Sequence, residues 1–137
     1  MGRDVMANNA TDRVILKSIY NLYYHEYASF QDDETTRSSK LYVPIDFEKI
    51  AKTLDLDADI VFGRLYYHLD KKYSYKQNDG SFVNLFLLGM GRDKHVVHFP
   101  LLAAVLAEEE QSFTRFTIPI ILSLFAIAVS IFTLVFK

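Results

Sequence analysis

Residues 44–75 read PIDFEKIAKTLDLDADIVFGRLYYHLDKKYSY, and this stretch contains two amphipathic helical patterns separated by the break DLD. Asp46 and Asp57 stand before the two patterns, and aspartate is a preferred N-cap because its carboxylate accepts a backbone N–H of the first turn. The apolar residues recur three or four positions apart, as in helices that bury one face. On the first helix they are Phe47, Ile50, Ala51 and Leu54, and on the second, which runs to about Lys72, they are Val61, Phe62, Leu65 and Leu69. The stretch therefore predicts two short helices joined by a tight turn.

A longer amphipathic helix is predicted upstream, over residues 12–27 (DRVILKSIYNLYYHEY), with its cap at residue 11 or 12. Residues 1–11 are predicted to be a flexible N-terminus. After the helix, residues 29–40 are polar and aperiodic, so we expect a mobile loop. The triplet LYV at residues 41–43 predicts a short strand.

Downstream of residue 75 the sequence predicts strands. NDG at residues 78–80 is a turn signal, and SFVNLFLLGMGRDKHVVHF at residues 81–99 is interpreted as two strands joined at residues 89–93. Pro100 then opens a final helix, LLAAVLAEEE, whose apolar face is expected to dock on the domain. The predicted fold class is α+β, with one small domain over residues 12–110 that contains helices and a two-stranded hairpin.

This order of elements resembles that of the winged helix-turn-helix superfamily. The residues that carry the resemblance follow the family spacing I-A-x-x-L-x-apolar-x4-V-x3-L and are Ile50, Ala51, Leu54, Leu56, Val61 and Leu65. Two positions differ from the family pattern. Asp55 stands where glycine is common, and His68 stands where an apolar residue is expected, with Leu69 one position later. The resemblance implies that the second helix enters a DNA major groove and that the hairpin, or wing, contacts backbone or minor groove.

The C-terminal segment RFTIPIILSLFAIAVSIFTLVFK has a different composition. Between Arg115 and Lys137 lie 21 residues without a charge, and 14 of them are Leu, Ile, Val or Phe. At ~1.5 Å per residue such a helix is about 31 Å long, close to the ~30 Å hydrocarbon core of a bilayer. The alternative is a buried helix of a soluble oligomer, which rarely is apolar on every face over this length. Residues 116–136 are therefore predicted to be a transmembrane helix in contact with lipid, preceded by a juxtamembrane linker at residues 111–115.

The predicted location is a membrane, with a single pass and the N-terminal domain in the cytoplasm. The N-terminus has no apolar stretch of the kind that a secretory signal needs, and Met6 occupies the position where the myristoylation pattern requires Ser or Thr. A span at the end of a chain inserts after the rest is made, as in tail-anchored proteins. The absence of cysteine agrees with a reducing compartment.

Nucleic acid is one candidate partner of the domain. The formal net charge is −2, but residues 60–99 carry 6 basic and 3 acidic groups. The side chains that would contact DNA lie on the outward face of the second helix and at the wing turn, and they are Arg64, Tyr67, Lys71, Arg92 and Lys94. Asp59 and Asp70 share the outward helical face and would repel phosphates, so the cationic surface is small.

A protein partner is the first interpretation. The chain contains 9 Tyr and 11 Phe, and the segments YYHEY and LYYHL place more rings on two helices than one face of either can bury. Exposed tyrosine favours protein interfaces, whereas an aromatic core accounts for about half of the rings. Tethering raises the effective concentration of the domain for partners at the same membrane. We therefore predict a membrane-tethered adaptor or regulatory module; the alternative is a membrane-anchored DNA-binding transcriptional regulator, and homo-oligomerisation stays open.

Neither catalytic residues nor a cofactor or metal is predicted. Among the four histidines, His95 and His98 are three residues apart on a predicted strand and would point to opposite faces, which makes a poor metal pair. The segment GMGRDK has no third glycine and no following helix, so a hairpin turn explains it better than a nucleotide loop. The sequence has no nucleophile–His–Asp pattern, and it therefore indicates a protein that is not an enzyme.

Overall fold

The computed structural model describes residues 9–30 and 37–137. The predicted flexible terminus (1–11) and mobile loop (29–40) therefore lie partly outside the described residues. Of the described residues in the terminus, Asn9, Ala10 and Thr11 each accept a hydrogen bond.

The chain combines helices with small antiparallel sheets, which confirms the mixed helix-and-sheet class. The helices are α1 Asp12–Ala28, α2 Phe47–Leu54, α3 Ala58–Gly63, α4 Asp70–Tyr73 and α5 Phe99–Val135. A π-helical segment, Arg64–Leu69, joins α3 to α4 without leaving helical backbone angles. The strands are β1 Tyr42–Pro44, β2 Tyr75–Lys76, β3 Phe82–Val83, β4 Phe86–Met90 and β5 Asp93–His98. Strands β1, β5 and β4 form one sheet in that order, and β2 pairs with β3.

The caps of the first three helices are side chains that the sequence indicates. Thr11, Asp46 and Asp57 each accept a backbone N–H of the following turn, at 3.3, 2.9 and 2.9 Å. At the end of α2, Asp55 adopts the left-handed conformation with φ 53°. Glycine is the usual residue there, and aspartate is one of the few others that tolerates it. Asp55 thus forms the turn at which the winged-helix pattern commonly has glycine.

The π-helical segment explains why the second helix departs from the expected spacing. Val61, Leu65 and Leu69 are all fully buried although each is four residues from the next. On a regular α-helix, positions four apart drift by about 40° per step, because each residue turns the chain by ~100°. A π turn contains more residues, which reduces the rotation per residue and keeps all three on the core side. His68 consequently points outward, and Leu69 takes the core position.

The wing region contains more strands than the single predicted hairpin. The first predicted strand is interrupted at Asn84 and Leu85, so that β3 pairs with β2 while β4 pairs with β5. The β4–β5 hairpin closes through Gly91 and Arg92, the two residues between Met90 and its partner Asp93. Strand β1 pairs with the other edge of β5 and completes a three-stranded sheet.

The hydrophobic core is formed by α1, α2, the α3–π–α4 helix, the sheet and the start of α5. Its fully buried members include Ile15, Leu16, Ile19, Ile50, Val61, Leu65, Leu69, Leu85, Val97 and Leu102. They come from segments far apart in the chain, so residues before and after the helical pair contribute to one core.

The chain divides into two units, Met1–Leu106 and Ala107–Lys137. Helix α5 contributes Phe99, Leu102 and Val105 to the core of the first unit. In the second unit, α5 is helical through the predicted linker at residues 111–115 and carries exposed apolar side chains from residue 116 to its end at Val135. Among the described residues it is the one helix long and apolar enough to cross a membrane.

Candidate interaction surface

Arg64, the predicted base-contacting residue, is directed to the start of α1. Its guanidinium donates to the carbonyl of Ala10 at 2.8 Å and to Asn9 Oδ1 at 3.2 Å. It also donates to the carboxylate of Asp12 at 2.6 Å, and both charged side chains are largely shielded, with exposed fractions of 22% and 18%. The guanidinium is therefore committed to contacts within the domain.

Asp12 gathers a stripe of basic side chains from the second helix. Besides Arg64, its carboxylate lies 3.6 Å from His68 Nδ1 and 3.8 Å from Lys72 Nζ. These three residues are spaced by four, like the buried stripe beside them. The position of Asp12 in the first turn of α1 adds a favourable interaction with the helix dipole. The cluster ties α1 to the second helix, and it withdraws the Arg64 guanidinium from the outward face.

The outward face of the second helix is aromatic. Tyr67 is 70% exposed, Ile60 46% and Tyr66 39%, and the two tyrosine rings pack edge to face with centroids 4.8 Å apart. Gly63 lies beside the Tyr67 ring, and a Cβ there would lie 3.8 Å from the ring. Lys71 is exposed on the same α3–π–α4 helix. This face exposes mainly aromatic and apolar surface and few cations. It therefore suits a protein partner better than it suits the phosphates of DNA.

The wing cations Arg92 and Lys94 are both exposed, at a hairpin turn that is fastened to the loop before β1. The N–H of Arg92 donates to Ser38 Oγ at 3.3 Å, and the N–H of Ser38 donates to Asp93 Oδ2 at 2.6 Å. Gly91 has φ 60°, and a Cβ there would lie 2.7 Å from Ser38 Oγ. Two features therefore require glycine at position 91. The turn needs a positive φ, and the close approach of Ser38 leaves no room for a Cβ.

The same loop is anchored to the end of α1 by Arg37, which is 6% exposed. Its guanidinium donates to the carbonyls of Glu26 at 2.9 Å, Ser39 at 2.8 Å and Lys40 at 3.0 Å. The polar composition of residues 29–40 predicts a solvent-exposed loop, so the burial of Arg37 is not predicted from the sequence.

The structure does not bring the five candidate residues to one place. Arg64 binds Asp12 at the start of α1, whereas the wing turn is joined through the Ser38 loop to Glu26 near its end. Asp12 and Glu26 are 14 residues apart on one helix, which corresponds to about 21 Å. Tyr67 and Lys71 belong to the aromatic face, and Arg92 and Lys94 belong to the wing turn.

A groove lies between the starts of α2 and α3, and β5 contributes to its wall. It has a volume of about 530 Å³, and we call it the α2–α3 groove. Its walls are Phe47, Phe62 and His95, and its rim carries three carboxylates, Asp46, Glu48 and Asp59. The rings of Phe47 and Phe62 meet at 87° with centroids 5.2 Å apart, and the Phe62 ring stacks on Tyr66 at 5.4 Å. The groove is therefore continuous with the aromatic face.

His95 enters the groove from an irregular point of β5. It has φ 54° in an otherwise extended strand, a conformation that costs a non-glycine residue about 1–2 kcal/mol. Its ring lies 5.0 Å from that of Phe47 and 6.2 Å from that of Phe62. His98, by contrast, caps α5, because its Nδ1 accepts the N–H of Leu101 at 3.1 Å, and burial lowers the pKa of His98. The two histidines have different environments.

A buried tyrosine positions the rim of the groove. The Tyr23 hydroxyl, in a side chain that is 4% exposed, accepts the N–H of Asp46 at 2.8 Å. Burial raises the pKa of Tyr23, which keeps the phenol neutral. The junction between β1 and α2 is thereby held against α1, and the Asp46 carboxylate remains free to cap α2 and face the groove.

Sequence reasoning missed this groove. It places Phe47 and Phe62 on core-facing stripes, and both are in fact half-buried. It rejects His95 as a metal ligand and assigns it no other role, and in the structure the His95 ring lies among aromatic side chains. The available signal is the repeated pattern of an aspartate cap with an aromatic residue within a few positions, at Asp46–Phe47 and at Asp57–Phe62.

No protein-family model, curated protein or solved structure matches this chain.

Proposed function

We propose that the protein is a non-enzymatic adaptor or regulatory module that binds a protein partner at a membrane. In this proposal, a winged-helix-like domain lies on the cytoplasmic side and residues 116–136 hold it at the bilayer. The winged-helix character is supported by the order of helix, strand, paired helices and antiparallel hairpin, and by Asp55 acting at the turn position. The membrane location is supported by the exposed apolar side chains of 116–136.

The observation that carries the choice of a protein partner is the composition of the outward face of the second helix. Tyr67, Tyr66 and Ile60 are exposed there, while Arg64 is bonded to α1. Exposed aromatic side chains with few degrees of freedom favour protein contacts, because they bury much area at small entropic cost. DNA recognition needs several phosphate-neutralising cations on one face, and Arg64 is withdrawn from that role.

A crosslinking experiment tests this function on the full chain in native membranes. Tyr67 is replaced by the photo-reactive residue p-benzoylphenylalanine, and Tyr75, which is exposed on β2, receives the same replacement as a matched control. We expect a discrete protein adduct from position 67 and none of the same mass from position 75. Equal adducts from both positions would indicate random collision and would contradict the proposed face.

DNA binding is tested on the full chain in nanodiscs of zwitterionic lipid. Random-sequence duplex DNA is titrated at two salt concentrations with wild type and with Lys71→Ala. We expect no salt-sensitive binding. Binding that weakens with salt and with Lys71→Ala would replace the adaptor by the DNA-binding alternative, because phosphate contacts release counterions.

A further inference from the structure

The α2–α3 groove combines aromatic walls with uncompensated negative charge. Within the described part of the chain, none of the three rim carboxylates, Asp46, Glu48 and Asp59, takes part in an ion pair, and all three are exposed. The nearby Lys49 is instead directed over the Tyr23 ring, with its Nζ 5.5 Å from the ring centroid. The groove therefore has a negative rim that no described side chain neutralises.

The helix dipoles reduce this charge without reversing it. The starts of α2 and α3 lie at the groove, and each helix start is equivalent to about half a positive charge. Against these stand the three rim carboxylates and the capping carboxylate of Asp57. The sum is a negative field at the mouth of an apolar hollow. Such a field favours a cation, and it disfavours phosphate and other anions.

The walls favour the same kind of ligand. The Phe47 and Phe62 rings both line the groove, with their planes nearly at a right angle, and the negative face of an aromatic ring attracts a cation. His95 closes the third side, held by a left-handed backbone conformation that positions its ring 5.0 Å from Phe47. Strained residues of this kind concentrate at ligand sites. At about 530 Å³ the groove lies within the range of binding pockets.

We propose that the α2–α3 groove binds an arginine or lysine side chain presented by the protein partner. This inference rests on the proposed function and specifies the chemistry of the recognised segment. The carboxylates of Glu48 and Asp59 attract the charged head group, and the rings of Phe47 and Phe62 contact its face and its aliphatic stem. The adjoining Tyr66 and Tyr67 contact the apolar residues beside the cation.

The test uses the full chain in micelles of an uncharged detergent and a fluorescein-labelled nonapeptide with three arginines among glycines and serines. A second peptide replaces each arginine by citrulline, which has nearly the same shape and no charge. Binding is followed by fluorescence anisotropy and by the NMR signal of the His95 imidazole in chain labelled at histidine. We expect the arginine peptide to shift this signal and to bind at least tenfold more tightly than the citrulline peptide.

Matched variants separate the groove from general electrostatics. E48Q/D59N removes two rim carboxylates without changing side-chain size, and E26Q/E108Q removes two exposed carboxylates that do not line the groove. Both variants change the formal net charge from −2 to 0. We expect E48Q/D59N to lose at least tenfold in affinity and E26Q/E108Q to lose less than twofold. Phe62→Leu, which keeps an apolar side chain but removes the ring, should also weaken binding.

Three results would overturn the inference: equal binding of the two peptides, equal loss in the two charge variants, or an unmoved His95 signal at saturating arginine peptide. The near-ultraviolet circular dichroism of the tyrosines shows whether each variant is folded. If the peptide fails while Tyr67 still crosslinks a discrete membrane partner, the groove inference is wrong and the proposed function stands. If the Tyr67 adduct is absent while the arginine peptide binds the groove, the proposed function is wrong and the groove is still a cation site.

Discussion

Arg64 shows how a single side chain changes the interpretation of a surface. A helical wheel places it outward, where its five N–H donors suit guanine or phosphate. In the folded chain these donors reach Asn9, Ala10 and Asp12 instead. An arginine has a long reach, and its partner is decided by what lies within that reach after folding.

Removing Arg64 should therefore destabilise the domain. Hydrogen bonds to charged groups contribute about 1.5–3 kcal/mol, and Asp12 would keep Lys72 and His68 nearby, so we expect Arg64→Ala to lower the free energy of unfolding by about 1–2 kcal/mol. The measurement is urea unfolding of the full chain in detergent micelles, followed by near-ultraviolet circular dichroism, because all nine tyrosines precede residue 116.

Lys71→Ala is the matched control, since Lys71 is an exposed cation of the same helical unit. We expect its effect to stay within about 0.5 kcal/mol, as for most surface substitutions. If the two variants unfold at the same urea concentration, the contacts of Arg64 contribute nothing and its assignment as a structural residue is wrong.

Asp55 offers a second residue-scale prediction, because its left-handed conformation is a property of the backbone. Asp55→Gly should be more stable than Asp55→Ala by about 1 kcal/mol, since alanine strains this conformation and glycine does not. Both variants lose the same side chain, so their difference isolates the backbone. The measurement compares the urea unfolding midpoints of the two variants. A glycine variant that is less stable than the alanine variant would contradict the left-handed conformation at Asp55.

At the scale of elements, the α3–π–α4 helix shows that spacing alone does not define a face. The wide turn over Arg64–Leu69 places Leu69 in the core. It also lines up Arg64, His68 and Lys72 towards Asp12. A regular helix would spread both stripes around the axis. The π turn thus allows the second helix to pack against α1 through both its buried apolar stripe and its contacts with Asp12.

The start of α5 leads to a prediction about pH. Burial lowers the pKa of His98 in the folded domain, and its unprotonated Nδ1 accepts the N–H of Leu101. Between the lowered pKa of the folded state and the unfolded pKa of about 6.5, the unfolded chain therefore binds more protons than the folded domain. The stabilisation that unprotonated His98 gives to the folded domain is fully present above about pH 6.5, and it is lost as the pH falls towards the lowered pKa of the folded state.

His98→Asn tests this origin, because asparagine is a good N-cap that does not titrate over this range. We expect the free energy of unfolding of wild type to fall between pH 7 and pH 5 more steeply than that of the variant. Urea unfolding at several pH values measures both slopes. Equal slopes would show that the pH dependence arises from other groups.

At the scale of the whole molecule, the proposed membrane location depends on the apolar segment over residues 116–136. The fourteen Leu, Ile, Val and Phe residues of this segment favour insertion by roughly 0.3 to 0.6 kcal/mol each, whereas an arginine near the centre of a span opposes it by about 2.5–3.5 kcal/mol. The double substitution A126R/V129R should therefore abolish membrane association. Flotation of a detergent-free lysate on a density gradient measures it and separates bilayers from aggregates.

Q77R/N78R is the control, since it adds the same charge at an exposed turn of the first unit. We expect this variant and wild type to float with the membranes and A126R/V129R to remain at the bottom. A wild-type chain that does not float would refute the membrane location, and with it the proposed function.

Much of the fold is predictable from local patterns. The caps at Thr11, Asp46 and Asp57, the helical pair and the β4–β5 hairpin depend on neighbouring residues, and all of them are present. The buried Arg37 is not predictable in this way, because its guanidinium donates to the carbonyl of Glu26, 11 residues upstream, whereas the polar composition around it indicates only solvent exposure.

What the amino-acid sequence determined alone is the mixed helix-and-sheet class, the starts of the helices and the apolar segment over residues 116–136. Each follows from hydrogen bonding or hydropathy within a few turns of one element. Tertiary structure decided the site. It turned Arg64 towards Asp12, and it assembled Phe47, Phe62 and His95 into a groove with a negative rim. These outcomes depend on how α1, α2, the α3–π–α4 helix and β5 pack, because a side chain's partners are set by distances in space, and no local pattern encodes those distances.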